Sequence, residues 1–524
     1  LTALARALDA GAACLAAALL ASLLFWTGRP DMWWFRPETV FLVLLGVVAL
    51  RLLAAPAALP VVEPRRAVAA GIAAYAALFS FVTLSRHFTL ATHALDLGYY
   101  VQLTWNLARG HGPYVSLPAM HAWGDHLSPI MYLFVPAFWI APGPEVLLVA
   151  QSVLLALGAL PVFGLARRRL GEAGPAAAFA LLYLANPSLH GINVRDFHAA
   201  ALAIPLILAA AHFAEARRHG LFAAAAALAL TAREDAALAV LGLGVWLALG
   251  RRRWLLGAAT AGAALAALAV EVRWIIPYFR GAPYAHLGRY AHLGGSLGEI
   301  AAHLALHPVS ALAGLMTGDR LVYLGAMLAP LAFLPLLAPA ELAGAVPALA
   351  QNLLSSDPVL YHFRAQYQAF VLPFLVLAAI AGYAQLRAGR RRRWGVGVLM
   401  AAALVSLALA SRTVNNLALA RWWPTHEHRA AHAVMAAVPP GAALTADERY
   451  VPHLSLRPLV FVFPAGIERA DHVLINAAAY PWRNLPGVTM EREGGAVVIT
   501  LPGRREYRYA VVREAGPHLL LRRL

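Results

Sequence analysis

Apolar runs approaching 20 residues recur down this chain, and Leu8–Trp26, Thr39–Ala54 and Ala67–Leu84 are the first three. Coiled as a helix at about 1.5 Å per residue, such a run reaches across a hydrocarbon core of about 30 Å. No water is available there to satisfy backbone N–H and C=O groups, so the run must satisfy them within itself as a helix. Composition agrees, because 61% of the 524 residues are hydrophobic and only 13% are charged. The charged share of soluble domains is about twice that. The fold class predicted is an all-α polytopic membrane protein.

The net charge of +16 is carried by arginine, since the chain contains no lysine. The arginines gather in short segments between apolar runs: Arg65-Arg66, Arg167–Arg169, Arg217-Arg218, Arg251–Arg253, and Arg387 with Arg390–Arg393. That is the positive-inside pattern rather than a nucleic-acid footprint, and no nucleic-acid partner is expected. Placing the clusters in the cytoplasm gives about 13 transmembrane helices, with the N-terminus inside and the C-terminus outside. Residues 85–128 and 277–319 then become the two large outer loops. No small-residue cleavage site follows the first run, which is read as a retained helix. The single cysteine, Cys14, allows no intramolecular disulfide.

From Ser411 onward the apolar runs shorten and Pro and Gly rise. His426–Ala437 has helical spacing. Ala442–Thr445, Leu459–Phe463, His472–Ile475, Ala496–Leu501, Tyr507–Val512 and Leu519–Arg523 read as strands. The expected division is a transmembrane domain, residues 1–411, and an extracytoplasmic α/β domain, residues 412–524.

The polar residues that escape the arginine clusters fall together on the outer side. Asp96 precedes a stretch with an amphipathic face (Leu97, Tyr100, Val101, Leu103, Thr104, Leu107), suited to a helix lying in the membrane interface. Its carboxylate is either a plain N-cap or a base for an acceptor hydroxyl. Asp125 and His126 offer oxygen and imidazole ligands to a divalent cation, magnesium or manganese, or are polar surface. Asp196 and His198 stand at a helix start, as caps or as substrate contacts. Arg233, Glu234 and Asp235 lie between two short apolar segments, where ionisable groups are expensive and mark function by default. The alternative there is a hairpin tip that reaches water. His362 and Arg364 precede a span, as interfacial anchors or as contacts to phosphate oxygens, which an arginine fork matches. Tyr278, Tyr284 and Tyr290 read as belt residues.

Six stretches also carry a resemblance: Ala94–Tyr114, His121–Ile130, Leu147–Arg167, Asn193–Pro205, Ala232–Leu238 and Tyr361–Leu375. Across roughly Thr89 to Tyr383 the chain resembles a bacterial and archaeal family of multi-spanning membrane proteins of unknown function. That family looks like a branch of the GT-C superfamily of membrane glycosyltransferases. The resemblance implies a bacterial or archaeal cell membrane and a donor sugar carried on polyprenyl phosphate. It also implies a large first outer loop with a surface helix. Asp96 matches the acid at the start of that loop, Tyr100 the aromatic that follows, and Gly110 with Tyr114 the later turn. Asp125, Asp196 or Asp235 would be the second acid. The chain departs from the pattern in having three spans ahead of the loop and a lone Asp96 rather than a pair of acids.

The expected function is transfer of a hexosyl or pentosyl group from a polyprenyl-phosphate donor to a glycan, lipid or protein acceptor. Asp96, Asp125 and Asp235 are the catalytic candidates. Tyr100, His126, Asp196, His198, Arg233, Glu234, His362 and Arg364 are the substrate-binding ones, with Arg233 or Arg364 on the lipid phosphate. Asp96, Asp125 and His126 are the candidate metal ligands. A transporter or flippase for lipid or small solute, or an inactive scaffold, is the competing reading. Inverted repeats would favour transport, and none is evident.

Overall fold

Five helices among the described residues are long and apolar enough to cross a membrane: Ala3–Phe25, Pro30–Ala54, Pro64–Phe88, Pro144–Leu170 and Trp254–Arg280. The computed structural model describes residues 2–54, 62–388, 394–478, 485–503 and 505–524, so the Arg390–Arg393 cluster lies outside it. The first three apolar runs form α1 (Thr2–Phe25), α2 (Pro37–Ala54) and α3 (Pro64–Phe88). The carboxylate of Glu63 caps α3 by accepting from the Arg65 and Arg66 amides. Shorter apolar helices, including Ala199–Glu215, Ala236–Gly250, Leu372–Ala388 and Gly395–Leu409, complete the bundle. Helices Ala236–Val245 and Trp254–Val270 cross at Gly244 and Gly257. A Cβ on either glycine would come within 2.7 Å of the other's carbonyl oxygen, so only glycine permits this approach.

Three segments separate two polar ends of the bundle. At one end Arg169 pairs with Glu215 at 2.5 Å and Glu341 at 3.3 Å, and Arg251 reaches both carboxylates at 3.3 Å. The segments starting from Glu215, Arg251 and Glu341 run to His198, Asp235 and Gln351, which lie in the other polar region. The 17 residues from His198 to Glu215 alone span about 25 Å as helix. Arginine clusters and acid–histidine sets therefore occupy different ends.

The expected second outer loop is largely helical. Residues 277–319 contain helices Leu297–Leu306 and Pro308–Leu315, because the stretch holds apolar residues at helical spacing and Ser296 caps the first of them. The helix after Asp96, α4 (Tyr99–Ala108), is not laid on a membrane surface either. Tyr99, Tyr100, Val101, Gln102, Leu103, Thr104, Asn106 and Leu107 are all buried. Its polar face is covered from above: Gln102 Nε2 donates to Ser116 Oγ (2.8 Å) and to the Arg457 and Pro458 carbonyls (both 3.1 Å).

The cover comes from the C-terminal region. Among the described residues seven strands form one sheet, in the order β4-β3-β5-β9-β8-β7-β6. They are β3 (Leu444–Ala446), β4 (Val460–Val462), β5 (His472–Asn476), β6 (Thr489–Glu493), β7 (Ala496–Leu501), β8 (Arg505–Ala515) and β9 (His518–Arg523). A separate hairpin, β1 (Tyr114–Ser116) and β2 (Ala119–His121), belongs to the first outer loop. Strand β3 pairs in parallel with β4 and β5, and the other pairs are antiparallel. Leu90, Ala94 and Leu117 of the first outer loop share a core with Leu444, Val460, Leu474 and the helix His426–Met435. The sheet is thus packed directly on residues 85–128.

Candidate functional site

The first acid–histidine set gathers residues from four segments. Asp96 sits inside a π-turn, Ala94–Gly98, that leads into α4. Its Oδ1 lies 3.1 Å from His198 Nε2, so it is tied to a histidine 102 residues away and does not cap its helix. Its side chain is still 41% exposed. His93 approaches Asp196 Oδ2 twice, through its backbone N–H and through Nδ1, both at 2.9 Å. Asp196 is 1% exposed and sits at φ +70°, a left-handed conformation that costs a non-glycine residue energy and recurs at functional sites. Gln151 holds this turn, donating to the Asp196 carbonyl and accepting from the His198 amide, both at 2.8 Å.

This set has bonding capacity left over. Among the described residues Asp196 Oδ1 has no hydrogen-bond partner, with Arg86 Nη2 at 4.0 Å, and His198 Nδ1 is also unpartnered. Burial by itself would push the Asp96 carboxyl up. The charge and hydrogen bond of His198, with His93 and Arg195 nearby, hold it below its ordinary value. The hydrogen bond to Asp196 raises the His93 pKa. Asp96 is therefore an ionised, reachable carboxylate backed by an imidazole.

The second set is nearly closed on itself, with His286 Nε2 buried and without a hydrogen-bond partner among the described residues. Glu234 accepts from Tyr284 Oη (2.8 Å) and the Leu127 amide (3.2 Å) and contacts His126 Nδ1 at 2.8 Å. Arg233 grips Asp235 with two bonds of 2.5 and 2.6 Å, and Gln351 donates to the same carboxylate at 3.0 Å. The Arg233 guanidinium also lies over the Tyr367 and Phe370 rings, 5.2 and 5.4 Å from their centroids. Arg233, Glu234 and Asp235 are buried, so they do not form a tip that reaches water. Beside them lies a cavity of about 260 Å³ with mainly apolar walls, including Leu238, Leu268, Val272 and Ile300. The His126 and His286 rings stack at 4.4 Å, and His286 Nε2 is 3.6 Å from Asp125.

A third feature is a basic basin of about 710 Å³. Arg36, Arg195, Arg364, Arg412 and Arg421 line it with His362, against one carboxylate, Glu38. Glu38 is already engaged by Arg36 (2.8 Å) and Asn415 (2.9 Å). Arg364 donates to Thr413 Oγ1 at 3.2 Å, while its Nη1 is buried with no partner. Burial, then Arg412 and Arg195, lower the Arg364 pKa, the mark of cations crowded without enough anions. Gly191 permits the packing, since a Cβ there would lie 2.4 Å from Arg364 Cβ.

The predicted residues thus divide among three places. Asp96, Asp196 and His198 come together with His93, and Asp125, His126, Arg233, Glu234 and Asp235 form the closed set. His362 and Arg364 join the basin. Tyr100 lies between the two acid sets, where Arg233, Glu234, Asp125 and Asp96 all act on its hydroxyl. Among the described residues two groups have ligand atoms within 4.8 Å of one another, as a metal requires: His93, Asp96, Asp196, and Asp125, His126, His286. The three predicted metal ligands are therefore split between two groups. Tyr284, His286 and Gln151 were not singled out as site residues, because a tyrosine or histidine in a polar stretch looks like belt or surface until its partner is known. Arg36, Arg195, Arg412 and Arg421 were missed because they are scattered singly outside the clusters.

A mostly helical membrane bundle packed against a C-terminal sheet resembles the GT-C membrane enzymes in fold. The crystal structure of ArnT from Cupriavidus metallidurans bound to undecaprenyl phosphate superposes with a TM-score of 0.50, at 16% identity, over 87% of this chain and 97% of that one. The Archaeoglobus fulgidus oligosaccharyltransferase tethered with an acceptor peptide gives 0.44 at 13% identity, over 76% of this chain and 64% of that one. At 16% identity the likeness to the ArnT structure is one of fold alone. The chain belongs to the family described as predicted membrane protein (DUF2079), whose model matches residues 86–492. No curated protein matches it.

Proposed function

We propose that the chain is a glycosyltransferase of GT-C type that takes a sugar from a polyprenyl-phosphate donor and passes it to an acceptor hydroxyl outside the cell membrane. The observation that carries this reading is the Asp96 carboxylate, half-buried, ionised and held by His198, with Arg195 of the basin close enough to act on it. Asp96 takes the proton of the acceptor hydroxyl, and the oxygen attacks the anomeric carbon from the side opposite the phosphate. The bond from that carbon to the phosphate oxygen breaks, and its electron pair leaves with the lipid phosphate, so the anomeric configuration inverts. A lipid phosphate is a competent leaving group, so positioning and charge stabilisation carry most of the work.

Of the two arginines considered for the phosphate, the geometry favours Arg364. Arg233 is held by Asp235, whereas Arg364 has an unpartnered Nη1 in a basin of five arginines. Undecaprenyl phosphate, bound in the ArnT structure, is the donor carrier this basin suits. Asp196 and His93 position His198 and Asp96. The Glu234–Asp235 set, with Asp125 and His126, shapes the floor below. A magnesium or manganese ion would find carboxylate and imidazole ligands at His93, Asp96 and Asp196. On this reading the shorter apolar helices complete about 13 crossings, with residues 412–524 as an outer domain.

The test uses the full chain in nanodiscs with undecaprenyl-phosphate hexoses and pentoses, following release of undecaprenyl phosphate. Release by the wild type and its loss in Asp96→Asn support the proposal. Equal release by Asp96→Asn, or none from any donor by the wild type, overturns it.

A further inference from the structure

The C-terminal sheet carries a pocket whose lining is distinct from the Asp96 set and from the basic basin. It has a volume of about 520 Å³, within the 300–1,000 Å³ range of small-molecule sites, and is lined by Glu427, His428, Asp447, Glu448, Arg449, Tyr450, Asn476 and His518 with Thr89 and Leu90. Its place follows from topology. Asp447 directly follows β3, and Asn476 ends β5, so the pocket lies at the carboxyl ends of parallel strands. The two later strands β4 and β5 flank β3 on opposite sides, the arrangement at which open α/β sheets bind ligands. The first turn of the helix His426–Met435 closes one side.

Two buried groups line the pocket, and one of them has unmet capacity. His518 is 1% exposed, and its Nε2 has no hydrogen-bond partner among the described residues. Its Nδ1 is 2.6 Å from Tyr450 Oη. When the tyrosine donates, Nε2 carries the ring proton and is a donor into the pocket. Asp447 is 8% exposed and receives the Asn476 amide at 2.6 Å.

The lining selects against simple ions. An anion would meet three carboxylates, Glu427, Asp447 and Glu448. A compact cation would meet Arg449, and burial pushes the Asp447 carboxyl up to about 7, so the negative charge of the lining is partly cancelled. Donors and acceptors interleaved at this spacing match hydroxyl groups, each of which both donates and accepts. We infer that this pocket binds a neutral, polyhydroxylated ligand of saccharide type, gripped by Asp447, His518 and Asn476. The pocket opens beside the proposed transfer site, because Glu448 acts on His93, the partner of Asp196. That the bound saccharide is the acceptor rests on the transferase reading, whereas its binding does not.

The experiment titrates methyl glycosides of a hexose and pentose series into the full chain in nanodiscs, read by saturation-transfer NMR, with inorganic phosphate and spermidine as rival probes. Saturable glycoside binding, weakened at least about tenfold by His518→Ala and Asp447→Asn, is expected. Glu448→Gln serves where a core variant fails to fold. No saturable glycoside binding, glycoside binding indifferent to these variants, or spermidine or phosphate bound in its place overturns the inference. If glycosides bind here and Asp96→Asn leaves donor cleavage intact, the transferase reading falls and the pocket stands.

Discussion

Two acid–histidine sets lie at the same end of the bundle and differ in how far they are satisfied. Around Glu234 and Asp235 each carboxylate has several protein partners, and Arg233 is sandwiched and doubly bonded. Around Asp96 and Asp196 one carboxylate oxygen and one imidazole nitrogen are left without partners, and the Asp96 side chain reaches solvent. A buried polar group left unmade costs about 1–3 kcal/mol, so a fold keeps such groups where something else completes them. Ionisable residues at membrane depth are therefore not all alike. On the proposed reading the more fully paired set holds helices together, and the less fully paired one is where a substrate fits.

Asp96→Asn breaks this comparison most sharply. Donor cleavage is expected to fall about 10²–10⁴-fold, the usual contribution of a general base, with thermal unfolding unchanged. Retained cleavage would remove the distinction between the sets.

Asp235→Asn is expected to act the other way. It leaves Arg233 buried beside a neutral amide and should cost about 3–5 kcal/mol, read as a lower unfolding midpoint. Replacing both partners by apolar residues of similar volume, Arg233→Met with Asp235→Leu, is expected to recover much of that loss. If Asp235→Asn is as stable as the wild type, the closed set is not structural.

Arg364→Ala is expected to weaken undecaprenyl-phosphate binding about tenfold, near 1.4 kcal/mol, with a smaller effect for Arg412→Ala. Unchanged affinity in both variants would move the phosphate away from the basin.

The smallest effect concerns pH. The native pKa of His93 is raised above the ordinary value of 6.5 by its hydrogen bond to Asp196. Stability from that pair is full below the ordinary value and is lost as pH rises through the raised native one. The unfolding midpoint should fall slightly across that window, and Asp196→Asn should flatten the fall.

Legibility in the sequence followed the range of the interactions. The first three spans, the helix at His426 and six of the strands were readable because apolar runs and alternation are local signals. Strand β6 escaped, because its residues Thr489–Glu493 form an exposed edge without an apolar face. The surface helix expected after Asp96 turned out buried, because its cover, Arg457 and Pro458, lies some 350 residues away in sequence. Asp96, Asp196 and His198 were all legible as candidates. Their partnership was not, since residue type and spacing are silent on which carboxylate meets which histidine.

By itself the sequence determined that this chain must bury long apolar helices, and that its ionisable residues lie at the two ends of them. Hydrocarbon leaves the backbone no other solution, and charge leaves side chains few other places. Only the tertiary structure decided which charges cancel one another and which are left open. Packing brings Asp235 to Arg233 and His198 to Asp96, and five scattered arginines into one basin. Those pairings depend on distances between helices, which no local pattern encodes.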